Sequence, residues 1–331
     1  MIGQYQTFAE KAFLLLFKLS TEEFVKKLAE KLERNNLALK LAESFFSIRE
    51  NQGSVDSRLT RLPLCLDLLG EYAKTKTDAI DYLSAVLELA DSCPANSHVA
   101  IKLSALWPFS SVTRLDSDII QMLEMLVSRN SDRQVFTIFD AEDRFTFERV
   151  LRLLPGFSQR SLIGLCVQAY WRNLVCIIRK IEVLSKNFHF FSIRIVKGAY
   201  YSLEKRLTLQ NNSNYDTTDT PQETEQNLLD LLGTFTKLGL QVAVGTHNID
   251  TIKAVLCKHP KTEIQTLLGA GTGLALWLQD LGYNARIYAP VSSKNSLPFL
   301  VRRFNENTNV SKAFSLLSTA AFDDQKLDSF P

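Results

Sequence analysis

Successive apolar runs in this sequence end on side chains that can carry charge or hydrogen-bond. Lys102 lies inside Val99-Ala100-Ile101-Lys102-Leu103-Ser104, Asp140 follows the run 135–139, and Gln168 closes the run 163–167. Arg194 and Lys197 flank the end of 190–196, and Thr246-His247-Asn248 follow 242–244. An ammonium in an apolar strand has to be paired or functional, because burying it alone would cost several kcal/mol. Asp140 is a candidate partner, either in a structural pair bridging two strands or in a site. The row as a whole suits a ligand with a heterocyclic head and a polyhydroxy tail, Arg194 supplying positive charge beside a nitrogen that becomes electron-rich on reduction. Read singly, His247 is equally a structural histidine satisfied by backbone. Farther on, Arg302 and Arg303 could clamp a carboxylate, although Glu306 offers them an ordinary solvated pairing along a helix.

Such side chains need elements that bring them to one place. From about residue 60, eight apolar runs (62–66, 99–103, 135–139, 163–167, 190–196, 242–244, 264–268 and 285–288) alternate with helical patterns, for example 79–90, 119–127, 174–184, 228–238 and 252–256. Alternation of this kind demands parallel strands with crossover helices. Eight such units close a (β/α)8 barrel, whose functional groups sit at the carboxyl ends of the strands. An open doubly wound sheet lacks support, since no G-x-G-x-x-G turn follows the first run and the glycine-dense Gly269-Ala270-Gly271-Thr272-Gly273 follows the seventh. Before the barrel, residues 1–55 carry apolar positions at helical spacing (Phe8, Phe13, Phe17, Phe24) and form a helical arm ending at Asn51-Gln52-Gly53-Ser54. The barrel domain is 56–331. The polar stretch 208–224 is expected to be a loop after the fifth strand, a lid or a plain insertion.

Composition narrows the function. Of 331 residues 46% are apolar, enough for one large core, and 38 basic against 36 acidic residues leave no electrostatic footprint for nucleic acid. The five cysteines lack CxxC spacing and the four histidines lack metal-ligand pairing, so no metal site is expected. No apolar run approaches the roughly 20 residues of a spanning helix, and no secretory leader is visible. The expectation is a cytoplasmic protein, with peripheral contact at the inner membrane (mitochondrial if eukaryotic).

Read in order, the motifs resemble the proline dehydrogenases, stand-alone or as domains of bifunctional proline-utilisation proteins. The resemblance spans about 60–314 and rests on Leu66-Asp67-Leu68-Leu69-Gly70-Glu71, Ile101-Lys102-Leu103-Ser104-Ala105-Leu106, Asp140-Ala141-Glu142, Val167-Gln168-Ala169-Tyr170, Arg194-Ile195-Val196-Lys197-Gly198-Ala199-Tyr200, Thr246-His247-Asn248, Arg286-Ile287-Tyr288-Ala289-Pro290-Val291 and Leu300-Val301-Arg302-Arg303. It implies a distorted (β/α)8 TIM-type barrel with an N-terminal helical arm, holding FAD and oxidising L-proline to Δ1-pyrroline-5-carboxylate, with electrons passed to quinone. Arg194 would hydrogen-bond the flavin N5, and Gln168, Val196, Lys197, Gly198, Ala199, Thr246, His247, Asn248 and Glu306 would line the cofactor. Lys102, Arg302 and Arg303 would bind the proline carboxylate. Leu267, Tyr288 and Phe299 would pack on the substrate ring, with Asp140 hydrogen-bonding Tyr288.

The chain departs from the family pattern at Tyr201, where tryptophan is usual, and at Phe299, where tyrosine is usual. The second departure opens hydroxyproline as an alternative substrate. Two other readings stand beside these: a lyase forming a Schiff base on Lys102 or Lys197, and a catalytically silent barrel that binds a metabolite or partner.

Overall fold

In the computed structural model, which describes residues 48–49, 62–71, 73–106, 115–198, 200–201, 204–205, 217–268 and 271–292, all eight apolar runs are strands. They are β1 (Leu64–Leu68), β2 (His98–Ile101), β3 (Phe136–Phe139), β4 (Leu162–Gln168), β5 (Phe190–Val196), β6 (Gln241–Gly245), β7 (Glu263–Leu267) and β8 (Ala285–Ser292). Each pairs in parallel with its neighbour in sequence, and β8 pairs with both β7 and β1, so the sheet closes. The expected (β/α)8 barrel is therefore present. A two-residue strand, Ile48–Arg49, adds to the outside of β8 opposite Val291 and Ser292, within the region read as a helical arm. The remainder of that arm lies outside the described residues.

The first strand lies two residues later than its apolar run because it continues through Asp67, which is buried inside the barrel rather than ending the strand. Among the described residues a helix follows each of the first seven strands: α1 (Lys76–Asp91), α2 (Ser117–Asp132), α3 (Arg144–Leu153), α4 (Leu174–Ser185), α5 (Pro221–Lys237), α6 (Ile249–Lys258) and α7 (Thr272–Asp280). Thr75 and Asp78 form a capping box on α1, satisfying backbone donors that a helix start otherwise leaves open. The inner face of α1 buries Ala79, Leu83 and Val86 against the strands, and a fully buried leucine or valine contributes about 1.5–3 kcal/mol.

The polar stretch 208–224, expected as a loop, ends in a helix, and its residues 208–216 lie outside the described residues. Thr220 caps α5, Pro221 occupies its first turn and Glu223 completes a second capping box, so the end of that stretch is the start of a helix. Its polarity belongs to a helix N-terminus, whose first turn favours proline and acidic residues, as much as to a connection. No helix among the described residues is long and apolar enough to cross a membrane.

Candidate active site

Successive strand residues point to opposite faces, so in each barrel strand one parity faces the helices and the other faces the interior. On β4 and β5 the outward residues are Leu165, Val167, Ile193 and Ile195, all buried. The inward ones include Cys166, Gln168 and Arg194.

Lys102 follows β2, and its ammonium closes on the Asp67 carboxylate of β1, with both side chains almost wholly out of solvent. Asp140, after β3, stands 4.0 Å away as a second carboxylate. The Lys102–Asp140 pairing expected from sequence is therefore the weaker of two contacts, and Asp67, which the sequence did not single out, is the principal partner. Burial by itself would lower the Lys102 pKa, but Asp67 and then Asp140 outweigh it and hold the ammonium above the ordinary lysine range. A lysine kept charged this way is a poor Schiff-base nucleophile. Lys197 is likewise engaged, by Glu225 and by the Thr251 hydroxyl.

Asp140 is also the hub for two side chains from strands farther round the barrel. One of its oxygens accepts from Arg194 and the other from the Tyr288 hydroxyl at 2.8 Å. The Arg194 guanidinium lies 4.9 Å from the centre of the Tyr288 ring. It also donates to Gln265 Oε1 at 3.3 Å and packs on the thiols of Cys166 at 3.4 Å and Cys65 at 3.5 Å. Burial opposes the charge on Arg194, yet Asp140 outweighs it and keeps the group firmly protonated. Burial pushes the Cys65 thiol up to about 12 and raises Cys166 as well, so both are neutral packing groups.

Around these lies a second set of buried bonds. Gln168 donates from Nε2 to the carbonyls of Ala141 and Glu142 at 3.3 and 3.4 Å, tying the end of β4 to the segment that carries Asp140. The Glu142 carboxyl accepts from the Ser104 hydroxyl and, at 2.9 Å, from the Ser104 backbone N–H, which ties that segment to the turn carrying Lys102. Burial pushes Glu142 up to about 8 despite these bonds. Neither Ser104 nor Glu142 stood out in the sequence beyond its place in a motif. Asp67, Gln265 and Glu142 share the reason: each is a polar residue in or beside a strand whose partner is remote in sequence.

The expected cofactor-lining residues on β5 and β6 are distributed as follows. Val196 and Thr246 sit at neighbouring strand ends, with the Thr246 hydroxyl accepting from the Asn248 N–H at 3.2 Å. Asn248 caps α6 through Thr251 N at 2.9 Å. His247 Nε2 accepts from the Leu267 N–H at 2.9 Å, which places its ring proton on Nδ1 and ties β6 to β7. Gly198 has φ +146°, and a Cβ there would strike the Tyr170 ring, so only glycine carries the chain past that ring. Ala199, Phe299, Arg302, Arg303 and Glu306 lie outside the described residues. At the position where the family usually has tryptophan, the Tyr201 ring meets Tyr170 edge-on and donates from its hydroxyl to the Thr218 carbonyl at 2.9 Å.

Within the described residues, then, the structure brings Lys102, Asp140, Arg194, Gln168 and Tyr288 together at one end of the barrel. A fixed guanidinium, an ammonium and the neighbouring side-chain donors can bind an anion and stabilise negative charge developing on a ring. This donor set matches in chemistry what an isoalloxazine with a polyhydroxy tail would need.

Comparison with known proteins gives the family and the fold. The model of the proline dehydrogenase family matches residues 54–315. A bifunctional proline utilization A protein superposes with a TM-score of 0.72 at 24% identity, over 89% of this chain and 34% of that one. The proline utilization A protein of Bdellovibrio bacteriovorus, inactivated by N-propargylglycine, gives 0.73 at 20% identity, over 96% and 38%. A third, with proline bound in remote sites, gives 0.72 at 24% identity, over 88% and 34%. At these identities the likeness is one of fold, and the chain spans little more than a third of the length of these proteins at most. No match was found among the curated proteins.

Proposed function

The chain belongs to the proline dehydrogenase family, and from that premise we propose that it oxidises L-proline to Δ1-pyrroline-5-carboxylate with FAD held across the carboxyl ends of the strands. The observation that carries this reading is the convergence of Lys102, Asp140, Arg194 and Tyr288 at one end of the barrel, each fixed by a buried partner. The chemistry FAD would supply there is that of a two-electron acceptor for the hydride leaving C5 of proline. Lys102, with Arg302 and Arg303, would grip the proline carboxylate, and Tyr288, Leu267 and Phe299 would pack on the pyrrolidine ring.

Holding the carboxylate at one point and the ring against aromatic and aliphatic side chains turns hydride transfer into an effectively intramolecular step. The pyrrolidine nitrogen must be neutral for its lone pair to assist the departure of the hydride. Arg194 would stabilise the negative charge that appears on the ring system after reduction, and it needs no reorganisation because Asp140 already holds it. Gln168, Val196, Lys197, Gly198, Ala199, Thr246, His247, Asn248 and Glu306 would line the remainder of the cofactor. Electrons would then pass to a quinone, with the protein resting at a membrane surface.

Flavin absorbance of the purified protein, together with proline-dependent reduction of a dye, tests the assignment. A colourless protein that reduces nothing would overturn it. Saturation by proline and by hydroxyproline, compared on wild type and Phe299→Tyr, separates the two candidate substrates; proline is expected to have the higher kcat/KM.

A further inference from the structure

Below Arg194 the barrel interior holds a column of side chains that the proposed chemistry does not use. Gln265, on β7, is 4% exposed. Its Oε1 accepts from Arg194 at 3.3 Å and its Nε2 donates to Glu263 Oε1 at 2.7 Å. That same Glu263 oxygen accepts from Arg286 Nε at 2.9 Å, and Arg286 Nη1 donates to the carbonyls of Leu64 and Asn96 at 3.1 and 3.0 Å. Arg286 is therefore anchored to backbone at the amino-terminal end of the barrel, and it fixes Glu263 from below.

The orientation of the Gln265 amide follows from its neighbours. A guanidinium can only donate, so the group facing Arg194 must be the carbonyl. An ionised carboxylate can only accept, so the group facing Glu263 must be the NH2. Both neighbours demand the same rotamer, and neither would tolerate the flipped amide. Arg194 is consequently held between Asp140 on the mouth side and a neutral acceptor on the inner side.

We propose that Gln265, oriented by Glu263 and Arg286, is a positioning residue that keeps the Arg194 guanidinium seated in the barrel instead of being drawn outward onto Asp140 alone. The proposal rests on the functional reading given above, in which Arg194 faces the flavin. It extends that reading to side chains lying deeper in the barrel. Gln265 accepts without a full charge, so it holds the guanidinium without neutralising it.

The test uses two variants of the FAD-loaded protein. Gln265→Met keeps the volume and removes the amide; the double variant Glu263→Leu/Arg286→Met keeps the amide and removes together the acceptor that orients it and the guanidinium that fixes that acceptor. For both, the flavin midpoint potential, the FAD dissociation constant, the melting temperature and the rate of flavin reduction by proline are measured. The expected result is a lower midpoint potential and a rate reduced about tenfold, as for loss of one hydrogen bond to a charged group, while the KM for proline stays within about twofold. A tenfold change in the reduction equilibrium corresponds to about 30 mV for a two-electron couple. FAD affinity should change little in Glu263→Leu/Arg286→Met, which decides the matter if Gln265→Met fails to fold. Unchanged potential and rate in a folded variant, beside a wild type that proline bleaches, would overturn the positioning role and leave the function standing. A wild type that binds no flavin would overturn both.

Discussion

Lys102 closes on Asp67 across the β1–β2 interface, and neither side chain reaches solvent. Separating buried charges from water is worthwhile only while both are present, so removing one member should be far worse than replacing both. Asp67→Ala is expected to destabilise the protein by about 3–5 kcal/mol, because it strands an ammonium in the barrel. The double variant Asp67→Leu/Lys102→Met should recover most of that loss while remaining inactive. Urea denaturation of the three proteins measures both effects; equal stabilities for the single and double variants would contradict the pairing.

Tyr288 contributes a 2.8 Å hydrogen bond to Asp140 and a ring face to Arg194. Tyr288→Phe keeps the ring and loses only the donor. The expected stability loss is about 0.5–1.5 kcal/mol. The rate of flavin reduction should fall by more than the KM for proline rises, since Asp140 then faces Arg194 without its second partner. Single-turnover reduction beside steady-state KM separates the two terms, and a rise in KM alone would place Tyr288 with the substrate instead.

Much of this was legible in the sequence. The eight strands were, because barrel strands are apolar on the helix side and interrupted by long amphipathic segments, a rhythm few other folds share. Lys102, Gln168 and Arg194 were also legible, as polar residues at the ends of those runs. Asp67 was not, because a charge within an apolar strand becomes intelligible only when the lysine 35 residues later is folded onto it. Gln265 and Glu263 were hidden for the same reason: their partners Arg194 and Arg286 come from β5 and β8. The start of α5 was read as loop because the residues that cap a helix are also those that make turns.

Glu142 makes the fold pH-sensitive in a definite direction. Its carboxyl titrates at about 8 in the folded protein against an ordinary 4.5, through burial. The folded state then binds more protons than the unfolded one between those values, so this group's contribution is full below about 4.5 and is lost as pH rises through about 8. Glu142→Gln mimics the protonated acid and should remove that dependence. Melting temperatures at pH 5 and pH 9 check it, at roughly 2–4 °C per kcal/mol for a protein of this size class. The wild type should lose several degrees more than the variant, and parallel losses would place the titration elsewhere.

Arg194→Met leaves Asp140 beside Tyr288 without its guanidinium. The protein is expected to retain FAD, because other strand ends supply most of the lining, and to be reduced by proline about 10²–10³-fold more slowly. Stopped-flow absorbance reads this directly. Reduction at the wild-type rate would remove Arg194 from the chemistry.

Proline is expected to reduce a flavin bound in this barrel. Anaerobic titration of the purified protein with L-proline, followed at the flavin absorbance maximum, is the most direct measurement. The flavin should bleach as proline is added, with Δ1-pyrroline-5-carboxylate appearing in step with it. A flavin that stays oxidised at saturating proline, or a colourless protein in which borohydride traps substrate on a lysine, would contradict it.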